Sequence, residues 1–362
     1  MRPSKVVPAD DRMTADEAYG LACQGVGLLW QGDFQNARQM LTAMGSRADR
    51  RAKKPKDPSD AFNLERQARA QRARTLNMLL IPIEADYTIP LRRAPDIRQA
   101  CEEAYGAPLG EGASSPSPLG EGRGEGHVPL RELLGVIGAH EWRRNGIEIA
   151  AVGGRIHPHY GVFAPIRNEY VDLVARAPLP AALKTNSLAF DVGTGTGVLA
   201  AVLARRGVQR VIATDMDSRA LACASDNMSR LGLTRQVEVT AADLFPDGQA
   251  PLVVCNPPWV PARPSSPLEN GIYDPDSRML LGFLRGLRAH LAPGGEGWLI
   301  LSDLAEHLGL RKREELLAAI EAAGLKVADR LETRPKHPKA ADASDPLYQA
   351  RKKEVTSLWR LA

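Results

Sequence analysis

The stretch Ser187-Leu188-Ala189-Phe190-Asp191-Val192-Gly193-Thr194-Gly195-Thr196-Gly197 decides the fold. Its apolar run predicts a strand covered on both faces, and the run ends in an acidic residue followed by three glycines at alternate positions. The G-x-G-x-G spacing permits a tight turn and a close approach of backbone to a ligand. A dinucleotide fingerprint would place its third glycine at 198, where this chain has Val198, and no GK[ST] follows to cradle a phosphate. The loop thus argues against both nicotinamide-dependent redox chemistry and P-loop nucleotide hydrolysis.

Downstream, strands alternate with helices. SLAFDV, VQRVIATD, QVEVTAADL, PLVVCN and GEGWLILSD read as buried strands. Helices are expected near 197–206, 217–231, 276–291 and 309–323. LKVADRLETR and EVTSLWRL close the chain as a pair expected to form an antiparallel edge. Such alternation predicts an α/β doubly wound, Rossmann-like sheet, whose ligands lie at the C-terminal ends of the strands. The second strand ends there in Asp215, a carboxylate suited to accept from both hydroxyls of a ribose. The third ends in Asp243-Leu244-Phe245, an acceptor for an adenine amino group beside apolar surface for its ring.

The fourth strand ends in Val253-Val254-Cys255-Asn256-Pro257-Pro258-Trp259-Val260-Pro261. Consecutive prolines donate no ladder bond and restrict the residue before them, so they terminate the strand in a stiff tip. Asn256 offers a side-chain carbonyl and Pro257 a backbone carbonyl, two acceptors suited to an incoming NH₂ group. An amide or aromatic amine is planar and poorly nucleophilic. Hydrogen bonds accepted from its protons aim the nitrogen, with Trp259 expected to stack on the plane. The candidate catalytic residues are Asn256, Pro257, Pro258 and Trp259.

Together FDVGTGTGVLA, IATDMDSRALACASDN, AADLF and VVCNPPW resemble a class I S-adenosylmethionine-dependent methyltransferase, over about half the chain from Ala189 onward. The resemblance implies seven strands with the last antiparallel and S-adenosylmethionine as cofactor. It places Asp191, Gly193, Gly195 and Gly197 on the methionine part, Asp215 on the ribose, and Asp243 with Leu244 on the adenine. Thr194 and Asn256 join this cofactor set. The NPPW motif is similar to that of amino-group methyltransferases acting on adenine, on guanine, or on the glutamine amide of translation release factors. The segment NPPWVPARPSSPLENGIYDPDSRMLLGFL resembles the release-factor glutamine methyltransferase (HemK-like) family, with Trp259 where that family has tyrosine. GVFAPIRNEYVDLV also resembles the methyltransferase small domain of ribosomal-RNA guanine methyltransferases. The expected acceptor is a release factor or another translation protein, with a base of rRNA or DNA as the alternative. A silent cofactor-binding protein is the remaining class, and the intact NPPW argues against it.

The 362 residues are 44% hydrophobic and 25% charged, enough for two domains. Four scattered cysteines without a CxxC pair argue against a disulfide framework or a zinc finger. A charged N-terminus without an apolar leader, and no run long enough to span a bilayer, make a cytoplasmic location the expectation and exclude a membrane partner. The organisation expected is a helical, partly basic recognition domain over 1–105 and a low-complexity Gly/Pro/Ser linker over 106–128. A helix and β-hairpin connector follow over 129–185, then the methyltransferase domain over 186–362. Ten Lys or Arg against four Asp or Glu between Arg47 and Arg74 would suit RNA, though such runs are more often a solvated helix face. His157 and His159, two apart on one face of the strand expected after the Gly153-Gly154 turn, have a spacing that could serve a metal but lack a recognisable third ligand, and no metal is expected.

Overall fold

The structure is a computed structural model that describes residues 3–48, 55–108, 126–264, 267–335, 342–343 and 345–362. It divides into two units, one of Met1–Lys56 with Asp60–Glu141 and one of Asp57–Ser59 with Trp142–Ala362.

The first unit is built on a sheet as well as helices, so its expected all-helical character is corrected. Its strands are β1 (Lys5–Ala9), β2 (Val26–Trp30), β3 (Leu79–Pro82) and β4 (His127–Pro129), in that order across the sheet. β1, β2 and β3 run parallel and β4 pairs antiparallel with β3. Helices α1 (Ala15–Cys23), α2 (Phe34–Ala48), α3 (Pro58–Leu76), α4 (Arg98–Tyr105) and α5 (Leu130–Asn145) complete the order. The helical expectation first fails at Gly25, whose φ of +79° ends α1 and turns Val26-Gly27-Leu28-Leu29-Trp30 into a largely buried strand. β4 falls at the end of the stretch read as linker, and linker residues 109–125 lie outside the described residues.

Residues 49–54 of the basic run also lie outside the described residues. Its remainder forms most of α3, where Arg69 pairs with Glu65 at 2.6 Å and Arg74 donates to Gln71 at 2.5 Å. These arginines therefore bond along their own helix.

The second unit opens with a hairpin of β5 (Ile147–Ile149) and β6 (Gly154–Ile156), reversed through a helical turn and Gly153 at φ +64°. β6 ends before the two histidines. His157 Nδ1 lies 2.7 Å from the Arg143 carbonyl and His159 Nε2 lies 3.2 Å from Asp226. Among the described residues no three His, Cys, Asp or Glu side chains group as metal ligands. After α6 (Glu169–Arg176) comes β7 (Leu188–Val192), α7 (Val198–Arg205), β8 (Arg210–Asp215), α8 (Ser218–Arg230), β9 (Val237–Ala241), β10 (Ala250–Cys255) and α9 (Arg278–His290). The chain ends with β11 (Leu291–Ser302), α10 (Leu304–His307), α11 (Arg313–Ala322), β12 (Val327–Thr333), α12 (Tyr348–Arg351) and β13 (Thr356–Leu361).

The sheet order is β12-β13-β11-β10-β7-β8-β9. The strands from β7 to β11 are mutually parallel, and β13 runs antiparallel to both β11 and β12. The expected antiparallel pair is present, with β13 inserted inside and β12 at the edge. The two-residue period sorts side chains onto two faces. Leu252, Val254, Trp298 and Ile300 join Val171, Val174 and α7 in one cluster. Val253, Cys255, Leu299 and Leu301 join Phe283, Leu287, Leu316 and Ile320 of α9 and α11 in the other. Burying each such side chain contributes roughly 1.5–3 kcal/mol, which fixes the strand register and so the level at which the β7, β8 and β10 tips emerge. Among the described residues no helix is long and apolar enough to cross a membrane.

Candidate functional site

The tip of β7 turns through Gly193, Gly195 and Gly197 at φ +72°, +56° and +80°. These are left-handed conformations that cost a side-chain-bearing residue strain. A Cβ on Gly193 would run into Met279 Cε, and one on Gly197 would lie 2.9 Å from Met228 Cε. A Cβ on Gly195 would meet nothing within 4 Å. The middle of the loop is therefore open on its outer side.

Asp191 lies beneath this loop, 1% exposed. Its Oδ2 accepts from Thr194 Oγ1 at 2.6 Å and from the Ala200 amide at 3.0 Å, tying the loop to the first turn of α7. Burial pushes its carboxyl up to about 6, opposed by these two hydrogen bonds and reinforced by the neighbouring Asp215 charge.

Asp215, at the end of β8, accepts from the Gly195 amide on Oδ2 at 3.0 Å and from the Asp217 amide on Oδ1 at 3.0 Å. Each oxygen keeps a further lone pair. Leu244 sits at φ +74°, and its carbonyl accepts from Thr214 Oγ1 at 2.5 Å, which holds the β9 exit against β8. Asp243 pairs with Arg278 at 3.1 Å.

At the end of β10 the indole N–H of Trp259 donates to Asn256 Oδ1 at 2.8 Å. An indole N–H only donates, so this bond fixes which end of the Asn256 amide is oxygen. The Trp259 ring meets Tyr170 edge-on at 6.3 Å and packs against both apolar clusters. The aromatic that the sequence aims at an acceptor is here engaged by Asn256.

A cavity of about 430 Å³ joins these tips and lies within the second unit. That volume falls in the ~300–1,000 Å³ range of small-molecule sites. Of the residues expected from sequence, Gly193, Thr194, Gly195, Asp215, Asp243, Leu244, Asn256 and Pro258 line it. Asp191, Gly197, Pro257 and Trp259 lie outside that lining and support it from behind or beside.

Residues 177–257 match the family model described as "Ribosomal protein L11 methyltransferase (PrmA)". A 150-residue segment is 33% identical to a release factor glutamine methyltransferase of Cereibacter sphaeroides, covering 37% of this chain and 51% of the relative. A 143-residue segment is 36% identical to a ribosomal protein L11 methyltransferase of Pelotomaculum thermopropionicum, covering 39% of each chain. The second unit has a class I S-adenosylmethionine-dependent methyltransferase fold. The chain spans about half or less of the length of these curated relatives.

The residues of this methyltransferase fold suit the cofactor. The open face at Gly195 admits a close backbone approach, and Asp215 presents free lone pairs beside it. Met216, 61% exposed on the cavity wall, offers a polarizable surface for a flat ring.

Sequence reasoning missed Met216, Phe163, Tyr170, Arg278 and Met279, all on the same cavity wall. Met216 had a signal, an apolar residue between Asp215 and Asp217 where a turn needs none. Phe163 and Tyr170 had none, because only tertiary structure brings the 161–170 segment to the methyltransferase strand tips.

Proposed function

We propose that this chain transfers the methyl group of S-adenosylmethionine to a planar amide or amino nitrogen of a protein of the translation machinery, with a glutamine amide of a release-factor-type substrate as the leading acceptor. The observation that carries the reading is that Asn256 and Pro258 line the same cavity as Gly195 and Asp215, so acceptor tip and cofactor loop share one space. Both curated relatives have names that specify a protein as substrate, which favours protein over nucleic acid.

The bound cofactor supplies a sulfonium methyl, an electrophile that needs no metal. Asn256 Oδ1 gives one lone pair to Trp259 and presents the other to an acceptor N–H in the cavity. Holding that proton orients the nitrogen and directs its electron pair along the transfer line, a positioning effect. Held at Gly195 and Asp215, S-adenosylmethionine would supply the methyl for the new C–N bond and leave as a neutral thioether with the electron pair of the broken C–S bond, and the methylated nitrogen would release one proton to water.

The test is tritium transfer from labelled S-adenosylmethionine into an extract of cells lacking this chain, followed by separate protease and ribonuclease digestion. Label solubilised only by protease supports a protein acceptor. Label solubilised only by ribonuclease replaces it with a nucleobase.

A further inference from the structure

Two side chains on the cavity wall, Tyr170 and Thr196, carry hydroxyls with no hydrogen-bond partner among the described residues. Tyr170 is 5% and Thr196 3% exposed, so each is held almost entirely by protein. Neither oxygen is sealed off, and the space on which both open is the cavity they line. Each hydroxyl is free to donate a proton into it.

Both are fixed in place. Tyr170, the second residue of α6, packs in one cluster with Val198 and Leu199 of α7 and meets Trp259 edge-on at 6.3 Å. Trp259 in turn donates to Asn256 at 2.8 Å, so the phenol stands between the start of α7 and the NPPW tip. Thr196 lies in the glycine loop, and its carbonyl accepts from Asn227 Nδ2 at 3.0 Å. Burial, with the charges of Asp191 and Glu169, pushes the Tyr170 phenol up, so its hydroxyl keeps the proton it would give.

The strand order says which part of the cofactor meets them. Neighbouring tips run β10-β7-β8-β9. With the ribose on Asp215 at the β8 tip and the adenine at Asp243 and Leu244 beyond β9, the amino-acid end extends the other way, over β7. An α-carboxylate accepts only and needs donors. The basic side chains among the described lining residues, Arg278 and Arg285, lie on α9. Arg278 pairs with Asp243 at 3.1 Å, and Gly282, between the two arginines, abuts Leu244. They stand at the adenine end. At the β7 end the donors are the two hydroxyls and the first turn of α7, where Val198 and Leu199 also line the cavity and helix amides without partners favour an anion.

We propose that the hydroxyls of Tyr170 and Thr196 bind the α-carboxylate of S-adenosylmethionine. The inference rests on the cofactor placement used above and adds to it the pair of residues that recognises the amino-acid end.

Calorimetric titration of the full chain with two ligands tests it: S-adenosylhomocysteine, and its decarboxylated analogue, which keeps the adenosine, the sulfur and the amine. Tyr170→Phe retains the ring and its edge contact with Trp259 and removes only the hydroxyl. Affinity for S-adenosylhomocysteine should fall about tenfold, the worth of one hydrogen bond to a charged group, with affinity for the analogue unchanged. Thr196→Val should show the same split. A variant that weakens both ligands alike, or weakens neither, overturns the assignment of its hydroxyl. Asp215→Ala separates this from the cofactor placement, because both ligands carry the ribose and both should bind more weakly. In that case the placement stands whatever the hydroxyl variants show; if Asp215→Ala spares both ligands, the placement falls and the inference with it.

Discussion

The indole N–H of Trp259 donates to Asn256 Oδ1 at 2.8 Å. The bond makes the aromatic of NPPW the residue that fixes the rotamer and amide orientation of the asparagine. Trp259→Phe keeps most of the ring and removes the donor. Turnover should fall about tenfold, in line with one hydrogen bond of about 1.4 kcal/mol, with cofactor affinity unaltered. Steady-state transfer and calorimetric titration of S-adenosylhomocysteine check it; full turnover in the variant would separate Trp259 from Asn256.

Asp215 is bonded to the Gly195 amide and faces the cavity. Asp215→Ala removes the carboxylate proposed to accept from the ribose and releases the glycine loop. Affinity for S-adenosylmethionine should drop by roughly 10- to 100-fold, as expected for one or two charge-assisted bonds of about 1.5–3 kcal/mol. A dissociation constant equal to that of the wild type would remove Asp215 from the cofactor site.

The three loop glycines separate by what lies behind them. Gly197→Ala meets Met228 and Ala224 as well as the left-handed penalty, whereas Gly195→Ala meets only the penalty. That penalty is about 1–2 kcal/mol, so both lower the melting temperature and Gly197→Ala lowers it more. Gly195→Ala should be the more damaging to cofactor binding, because its methyl enters the open face. Paired thermal melts and cofactor titrations read the two effects; the reverse ranking would misplace the loop.

Asp191 gives a pH signature. Its folded-state carboxyl is raised to about 6 from 3.8, so the folded protein holds the proton more tightly than the unfolded chain. The stabilisation is complete below about pH 4 and is lost as pH rises through about 6. The span is about two pH units, or roughly 3 kcal/mol at 1.36 kcal/mol per unit. Asp191→Asn keeps an oxygen for Thr194 and Ala200 and abolishes the titration. The stability of the wild type relative to this variant should therefore fall between pH 4 and 6, measured by denaturant unfolding without cofactor. A difference that stays flat would contradict it.

The second unit is legible because its strands are continuous apolar runs that stop near Asp191, Asp215, Asp243 and Asn256, and the cavity opens at those stops. The first unit's sheet is not legible. Its strands are four or five residues long or shorter, β1 is largely exposed and contains Pro8, and β2 is separated from the preceding helix by Gln24-Gly25 alone. One wall of the cavity is hidden for another reason. Tyr170 reaches Trp259 only through packing of α6 on the sheet. Local pattern therefore reveals the glycine loop and the strand tips but not the wall that the 161–170 segment adds.

The central claim is that the NPPW tip presents the acceptor nitrogen to S-adenosylmethionine, and Asn256→Ala tests it most directly. Tritium transfer into the acceptor extract and cofactor binding should be measured on the same preparation. Transfer reduced by at least about 100-fold, the scale of losing a polar group that positions the reacting atoms, with cofactor affinity retained, is the predicted result. Undiminished transfer would contradict the account.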